Sequence, residues 1–317
     1  STHLVDLKKI AYQFGYNNIF SNQYWYNTML PFSNLGVVET SKKLSKFFFH
    51  FFGKNHKLII LDADNTLWGG ILGEEGINGI KLGDNIPGVY YKNFQSHIKN
   101  LKNKGIILAL CSKNDLKDIN EVFKKNKQMI LKKNDFVSIK ANWESKNKNI
   151  NLILDEVNLK PEHVIFFDDS PYEINLIKKT FPKIDSIQLK GHPSLFTNIL
   201  NEKGNFLSTT ISSTDKERTS LYHQENKRKT LVNFSKDEED YIKSLKMVVT
   251  IEKPQANDVE RLSQLTNKVN QFNSTSLRLT EANISKNLNK KNSFIFKISS
   301  KDIVGDLGII GFILINI

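Results

Sequence analysis

Short apolar runs alternate with polar, helix-like segments between residues 56 and 190. Five of these runs have the length and the branched or aromatic composition of buried strands. They are KLIILD (57–62), GIILALC (105–111), FVSIK (136–140), HVIFFDD (163–169) and DSIQL (185–189). Continuous apolar runs of this kind are typical of parallel strands that are covered on both faces.

The segments between the runs have apolar residues at helical spacing. Ile119, Val122 and Phe123 share one helix face, and so do the four residues Ile150, Ile153, Leu154 and Val157. Ser170, Pro171 and Glu173 predict a capping-box start for a helix directly after the fourth run. The alternation therefore predicts an α/β fold with a doubly wound parallel sheet over residues 56–204.

The flanking regions follow other patterns. Residues 1–55 predict a helical extension broken at Pro31 and Gly36, and residues 205–244 predict a helical linker. Two capping boxes in that linker begin at Thr214 and Ser235. From residue 245 to 317, a strand (245–251), a helix (256–269) and two strands (293–299 and 306–315) predict a smaller α+β unit. That unit resembles the beginning of an acetyltransferase fold.

Length and cysteine usage restrict the class of protein. The 317 residues are enough for a sizeable core, and a single cysteine excludes an intrachain disulfide framework. The sequence has neither an apolar run of about 18 residues nor a signal-peptide pattern, so we expect a soluble, cytoplasmic protein. It begins at Ser1 and ends in an apolar strand-like run, so we expect a piece of a longer chain.

The net charge of +12 has two interpretations. A positive field attracts acidic partners such as nucleic acid or an acidic protein, whereas lysine mixed with asparagine is also a common composition of solvated faces. The densest basic-aromatic stretch (42–57) has contiguous phenylalanines, which favour a buried helix end over a stacking surface. We therefore expect neither a nucleic-acid nor a membrane partner.

The candidate chemistry lies where the strands end. Asp62 follows the first run and Asp64 comes two residues later. Ligands of open parallel sheets bind at the carboxyl ends of the strands, and two close carboxylates repel each other unless a cation lies between them. The pair indicates a Mg²⁺ site built from oxygen ligands, although a turn with a capping aspartate is the alternative.

Three further strand ends complete a site for a metal-bound phosphate. Ser112 ends the second run, Lys146 opens a helix after the third, and Asp168 and Asp169 end the fourth. Each could be a helix cap or a surface residue when taken alone. Taken together, they predict an aspartyl-phosphate mechanism.

In that mechanism each predicted site residue has a role. Asp62 is the nucleophile and Asp64 the general acid and base. The predicted metal ligands are Asp62, Asp64, Asp168 and Asp169, and the predicted phosphate-binding residues are Thr66, Ser112, Lys113, Asn114 and Lys146.

These residues resemble the haloacid-dehalogenase (HAD) phosphatase superfamily, and more narrowly its FkbH-like glyceryltransferase/phosphatase family. The narrower resemblance rests on LDADNTLWGGILGEEG (61–76), LALCSKND (108–115), NWESKNKNI (142–150), FFDDSPYE (166–173) and the stretch 262–282. It extends from about residue 55 to 317. Ser170, where the family pattern has asparagine, and Ala63, where it has a bulkier residue, depart from it.

The resemblance implies a specific reaction. Members take a glyceryl unit from 1,3-bisphosphoglycerate, remove its phosphate and deliver glyceryl to the phosphopantetheine thiol of an acyl carrier protein in polyketide synthesis. The segment after the first strand is too short for a large cap, so the mouth of the site can admit a carrier protein's arm. The other hypotheses are a Mg²⁺-dependent phosphatase without acyl transfer and a silent scaffold that docks a carrier protein.

Cys111 is the third predicted catalytic residue. It precedes Ser112 and Lys113 near a helix start, where a thiolate is favoured and would carry the acyl group as a thioester. A buried, unreactive cysteine is the alternative. Strand alternation places Cys111 and Ser112 on opposite faces unless the strand ends at residue 110.

Overall fold

The computed structural model describes residues 6–51, 55–206, 218–234, 238–268 and 277–316. The chain divides into two compact units, residues 1–219 and 220–317. The capping boxes predicted at Thr214 and Ser235 lie outside the described residues. The domain boundaries predicted at 55, 204 and 244 stay predictions.

The first unit contains a five-stranded sheet in which every strand pairing is parallel. Its strands are β1 (Leu58–Leu61), β2 (Ile107–Ser112), β3 (Phe136–Ala141), β4 (Val164–Asp168) and β5 (Asp185–Gln188). They are arranged in the order β3-β2-β1-β4-β5, with β1 between β2 and β4. The predicted doubly wound α/β sheet is confirmed, and each of the five apolar runs contributes one strand.

Helices cover both faces of this sheet, and every residue of β1, β2 and β4 is buried. The helices between the strands are Leu72–Gly79, Gly88–Asn103, Leu116–Lys125, Lys146–Val157 and Pro171–Thr180, and helix Phe196–Lys203 follows β5. The largest fully buried side chains include those of Trp68, Phe94 and Phe136. The two helices with predicted apolar faces, Leu116–Lys125 and Lys146–Val157, form as expected.

The N-terminal region is helical, as predicted, with helices at Leu7–Phe14, Tyr16–Ile19, Asn22–Thr28 and Asn34–Phe51. The chain breaks at Pro31, but Gly36 lies inside the last helix, so its predicted role as a helix breaker is wrong. A Cβ atom at Gly36 would lie 2.2 Å from the carbonyl oxygen of Ile19, so the glycine permits close packing. Phe48, expected at a buried helix end, is 56% exposed.

The second unit is an antiparallel sheet of three strands, β6 (Val248–Glu252), β7 (Ser293–Lys301) and β8 (Asp306–Asn316). Its helices in the described residues are Arg218–Phe234, which spans the boundary between the units, Glu238–Leu245, Val259–Lys268 and Glu281–Leu288. Val259, Leu262, Ile284 and Ile295 form its core. This extra unit agrees with the predicted α+β architecture, although helix Glu281–Leu288 was not predicted.

No helix among the described residues combines the length and the apolar character needed to cross a membrane.

A buried ion pair joins helix Arg218–Phe234 to the turn between β7 and β8. Arg228 donates from Nε to Asp302 Oδ2 at 2.7 Å and from Nη2 to Asp302 Oδ1 at 3.1 Å. The backbone N–H groups of Val304 and Gly305 also donate to Asp302 Oδ1. The hydrogen bonds from Arg228 outweigh the effect of burial and lower the pKa of Asp302 to about 2.

Replacing Asp302 by asparagine is expected to destabilise the second unit by about 3 kcal/mol. Arg228, a buried charge, would lose its close counter-ion and keep only the Glu225 carboxylate at 3.9 Å. An unfolded aspartate has a pKa of about 3.9, above the folded value. The contribution of the pair is therefore complete above about pH 4 and is lost as the pH falls towards 2. Urea unfolding of the wild type and Asp302→Asn between these pH values measures it.

The matched control is Glu239→Gln, which removes one partner of an exposed Lys243–Glu239 pair in the same unit. Exposed pairs contribute little, so its unfolding midpoint is expected to stay close to that of the wild type. Equal effects of the two substitutions would contradict the role assigned to the Arg228–Asp302 pair.

Candidate functional site

The predicted site residues converge because three parallel neighbours end at the same edge of the sheet. Asp62 follows β1, Ser112 is the last residue of β2 and Asp168 is the last residue of β4. In the sheet register, Leu61 is aligned with both Leu110 and Phe167. Leu110 lies two residues before Ser112, and Phe167 lies one residue before Asp168. All three polar side chains therefore lie at the carboxyl edge of the sheet.

Lys146 occupies the centre of this edge. It is the first residue of helix Lys146–Val157, and its Nζ atom lies 2.6 Å from Asp62 Oδ1 and 2.6 Å from Asp168 Oδ2. All three side chains are buried. Burial alone would lower the pKa of Lys146, but the two carboxylates outweigh it and hold that pKa above its usual range. The lysine is therefore a charged bridge between two strand ends.

Three carboxylates at this edge form a group that could hold a metal ion. One carboxylate oxygen from each of Asp62, Asp168 and Asp169 lies within 4.8 Å of the other two. Burial, reinforced by the charge of Asp62, raises the pKa of Asp168 to about 7 despite Lys146, and raises that of Asp169 as well. Oxygen-only ligands and a surplus of negative charge suit a hard divalent cation.

The side chain of Asp64 lies outside that group. Its Oδ1 atom accepts hydrogen bonds from Trp68 Nε1 at 2.9 Å and from the Leu72 N–H at 3.0 Å. Its Oδ2 atom accepts one from Asn114 Nδ2 at 2.8 Å. Burial raises the pKa of Asp64, and these hydrogen bonds oppose the shift. The structure therefore places this carboxylate beside the metal-binding group and not within it.

Asn114 connects the ends of β1 and β2. Its Nδ2 atom also lies 3.1 Å from Ser112 Oγ, so one amide group contacts both the Asp64 carboxylate and the Ser112 hydroxyl. Ser112 and Asn114 are both buried. Two of the predicted phosphate-binding residues are thus next to the carboxylates.

Thr66 and Lys113 differ from these two. Thr66 is fully buried, and its Oγ1 atom has no hydrogen-bond partner in the described part of the chain. The ammonium group of Lys113 pairs with Glu173, with 2.7 Å between Nζ and Glu173 Oε1. The structure brings Lys113 to the rim of the site and not to the carboxylate group.

The environment of Cys111 differs from the one predicted. β2 continues through Ser112, so Cys111 and Ser112 point to opposite faces of the strand. The thiol is buried, with Sγ 3.9 Å from the carbonyl oxygen of Lys146. Burial raises the pKa of Cys111 to about 12, because it outweighs the attraction of Lys146. The expectation that the surroundings favour a thiolate is thereby corrected.

The capping box predicted at Ser170 is half formed. Ser170 Oγ accepts a hydrogen bond from the Glu173 N–H at 3.4 Å, but the Ser170 N–H donates to Asp168 Oδ1 at 2.9 Å. The Glu173 side chain therefore does not accept the Ser170 N–H, as a complete capping box would require, and it pairs with Lys113 instead. The cap thus fixes a site carboxylate, a role that the sequence pattern did not indicate.

Sequence reasoning also missed two supporting residues. Trp68, fully buried, orients Asp64, and Gln188 Nε2 donates to the carbonyl oxygen of Asp169 at 2.9 Å. Trp68 lies four residues after Asp64 in the same motif, which was the available signal. Gln188 lies on another strand, and no local pattern connects it to Asp169.

No protein-family model matches the chain, and no curated protein matches it. Among solved structures, it is similar to the N-terminal part of a Bacteroides fragilis protein, which contains a phosphatase domain and is complexed with Mg. The two share 33% sequence identity with a TM-score of 0.59, over 64% of this chain and 54% of that one. The chain thus spans about half of the relative's length.

Two further likenesses are weaker. One is to 3-deoxy-D-manno-octulosonate 8-phosphate phosphatase from Moraxella catarrhalis, with 18% identity and a TM-score of 0.30 over 50% of this chain and 94% of that one. The other is to a Legionella pneumophila hydrolase of the HAD superfamily, with 16% identity and a TM-score of 0.31 over 61% and 100%. TM-scores this low support no inference about the chain. The predicted α/β fold class is confirmed by the first likeness and by the sheet itself.

Proposed function

We propose that the protein is a Mg²⁺-dependent phosphohydrolase that transfers a phosphoryl group through Asp62. The observation that carries this proposal is the buried Lys146 bridge, which holds Asp62 and Asp168 at 2.6 Å each beside Asp169. The Mg-complexed phosphatase domain of the Bacteroides fragilis relative supports it.

The three-carboxylate group fits the implied cofactor. Asp62, Asp168 and Asp169 would hold Mg²⁺, which offsets negative charge on the phosphoryl group when bound. Lys146 and Ser112 can donate hydrogen bonds to the phosphate oxygens, and the Thr66 hydroxyl, which has no partner among the described residues, is a third candidate. Asn114 uses its two N–H donors on Asp64 and Ser112 and so orients both. Of these donors, Lys146 contacts Asp62 directly at the end of β1.

Hydrolysis then proceeds in two steps. The Asp62 carboxylate attacks phosphorus, the bond to the ester oxygen breaks, and Asp64 donates a proton to the departing oxygen. Asp64 next removes a proton from water as the water attacks phosphorus. This step releases inorganic phosphate and regenerates Asp62. The hydrogen bonds from Trp68, Leu72 and Asn114 orient Asp64 for both transfers.

Removing the metal ion tests this function. Phosphate release from a panel of small phosphoesters is expected with Mg²⁺, and EDTA is expected to reduce the rate by at least about 100-fold, since Asp62, Asp168 and Asp169 would repel the phosphate. Restoring Mg²⁺ should restore the rate. Equal rates with and without the metal, or no release from any phosphoester, would contradict the proposal.

We further propose the finer reaction implied by the motifs, namely glyceryl transfer from 1,3-bisphosphoglycerate to the phosphopantetheine thiol of an acyl carrier protein. One observation favours it: residues 62–87 contain one short helix, Leu72–Gly79, and no strand, so they form no large cap. An uncapped mouth leaves room for the arm of a carrier protein. The net charge of +12 suits an acidic partner.

In this reaction the sulfur of Cys111 attacks the acyl-phosphate carbonyl and inorganic phosphate leaves. Asp62 removes the remaining phosphate, and the carrier thiol then displaces Cys111 from the thioester. With a pKa of about 12, the Cys111 thiol is protonated at neutral pH, so a base must take its proton during the attack.

Intact mass of the carrier protein tests the transfer. Incubation with 1,3-bisphosphoglycerate is expected to add a glyceryl mass to the carrier, and Cys111→Ala should abolish this addition while phosphate release from a simple phosphoester persists. Transfer at full rate in Cys111→Ala would exclude the thioester route. Phosphate release without any added mass would leave a phosphatase, and neither product would favour a carrier-docking scaffold.

A further inference from the structure

Lys113 and Glu173 connect the segments that follow the two strands flanking β1. Lys113 comes directly after Ser112 at the end of β2, and Glu173 lies in the first turn of the helix that follows β4. Their ion pair, 2.7 Å between Nζ and Oε1, therefore spans the carboxyl edge on either side of Asp62. The mechanism proposed above does not use it.

The two partners differ in exposure. The Lys113 side chain is 40% exposed, whereas that of Glu173 is 6% exposed and its Oε2 atom has no hydrogen-bond partner in the described residues. Moving Lys113 away would leave a buried carboxylate without a counter-ion, which is strongly unfavourable. Glu173 thus holds the lysine in place while part of the lysine side chain stays exposed to solvent.

The ammonium group of Lys113 has capacity for another anion. A lysine offers three N–H donors, and Lys146 uses two of them on carboxylates. Lys113 has one carboxylate partner among the described residues. The ring of Tyr172, which is 69% exposed, lies with its centroid 5.9 Å from Lys113 Nζ and borders the same spot.

The negative charge of the site explains why the Lys113 ammonium group would affect substrate binding. Asp62, Asp64, Asp168 and Asp169 converge at this edge against a single buried lysine, so a substrate with a second negative group would be repelled. A cation fixed at the rim offsets that repulsion for one class of substrate. Because Glu173 preorganises it, little side-chain entropy is lost on binding.

Resting on the proposed phosphohydrolase function, we propose that Lys113 is a substrate-specificity residue. It binds a second anionic group, a carboxylate or a phosphate, carried by the phosphoester beside the phosphate that is removed. Glu173 is its positioning residue. The preferred substrates are accordingly small phosphoesters with two anionic groups.

Calorimetric binding in the presence of Mg²⁺ tests this assignment without requiring turnover. The probes are glycerol 3-phosphate, 3-phosphoglycerate, which adds a carboxylate, and 1,3-propanediol bisphosphate, which adds a phosphate. The wild type is expected to bind at least one of the doubly anionic probes about tenfold more tightly than glycerol 3-phosphate. The probe with the larger preference identifies the anion.

Lys113→Met should remove the preference. The double variant Lys113→Met/Glu173→Gln should remove it too, and it avoids an unpaired buried charge, so it keeps the test valid if the single variant folds poorly. Lys117→Met, which removes an exposed lysine from the neighbouring helix, should retain the preference.

Retention of the preference in the double variant would overturn the inference. So would its absence from the wild type, including failure to bind any of the three probes. If the preference depends on Lys113 although no phosphate is released from any phosphoester, the specificity site stands and the phosphohydrolase proposal fails.

Discussion

Replacing Asp62 by asparagine is expected to reduce phosphate release by on the order of 10³-fold or more, because the amide cannot form the aspartyl phosphate. Asp62 is buried, and its Oδ1 atom lies 2.6 Å from Lys146 Nζ. Asparagine keeps the size of the side chain and can still accept this hydrogen bond. The variant is therefore expected to fold. Single-turnover phosphate release then measures the change in the rate of the chemical step, separate from any change in folding.

The matched control is Asp155→Asn, an exposed aspartate on helix Lys146–Val157. Its rate should equal that of the wild type. Asp62→Asn releasing phosphate at a comparable rate would show that the nucleophile is another group or a water molecule.

Replacing Lys146 by methionine is expected to affect both activity and stability. Asp62 and Asp168 would lose the cation that bridges them, so phosphate release should fall by about 10²- to 10³-fold. Without Mg²⁺, the free energy of unfolding should fall by about 3 kcal/mol, because two buried carboxylates would face each other unpaired. Thermal unfolding with and without Mg²⁺ measures this second effect.

Added Mg²⁺ should raise the melting temperature of Lys146→Met more than that of the wild type, since its proposed ligands are the same carboxylates. Lys148→Met is the matched control, because that lysine lies on the same helix in an exposed pair with Glu144. Equal responses of Lys146→Met and Lys148→Met would contradict the role of the buried bridge.

The sheet and the convergence of the strand ends could be predicted from sequence for one physical reason. A strand buried on both faces must be apolar throughout, so the first polar residue after it marks its end. Asp62, Ser112 and Asp168 were found in this way, and parallel pairing then brings them to one edge. Lys146 followed from the start of the helix after β3.

Side-chain choices among several partners could not be predicted. Glu173 matched a capping box, but the Ser170 N–H donates to Asp168, and Glu173 pairs with Lys113, a residue about 60 positions away. Helix Glu281–Leu288 was missed because Ile284 and Leu288 are its only large apolar residues. Tertiary contacts decide both cases.

The face on which Cys111 lies was also open, because it depended on where β2 ends. The strand includes Ser112, so the thiol is buried with Sγ 3.9 Å from the Lys146 carbonyl oxygen. One residue of strand length thus decides whether the sulfur shares the face of Ser112 or lies on the opposite, buried face of the strand.

Direct capture of the phosphoryl group on Asp62 tests the central claim. The protein is mixed with Mg²⁺ and a phosphoester that it hydrolyses, quenched in acid within one turnover, and digested for mass spectrometry. The account predicts one added phosphoryl group on the peptide that contains Asp62, and none in Asp62→Asn. Phosphate release at full rate with no phosphorylated Asp62, or with the group on another residue, would contradict it.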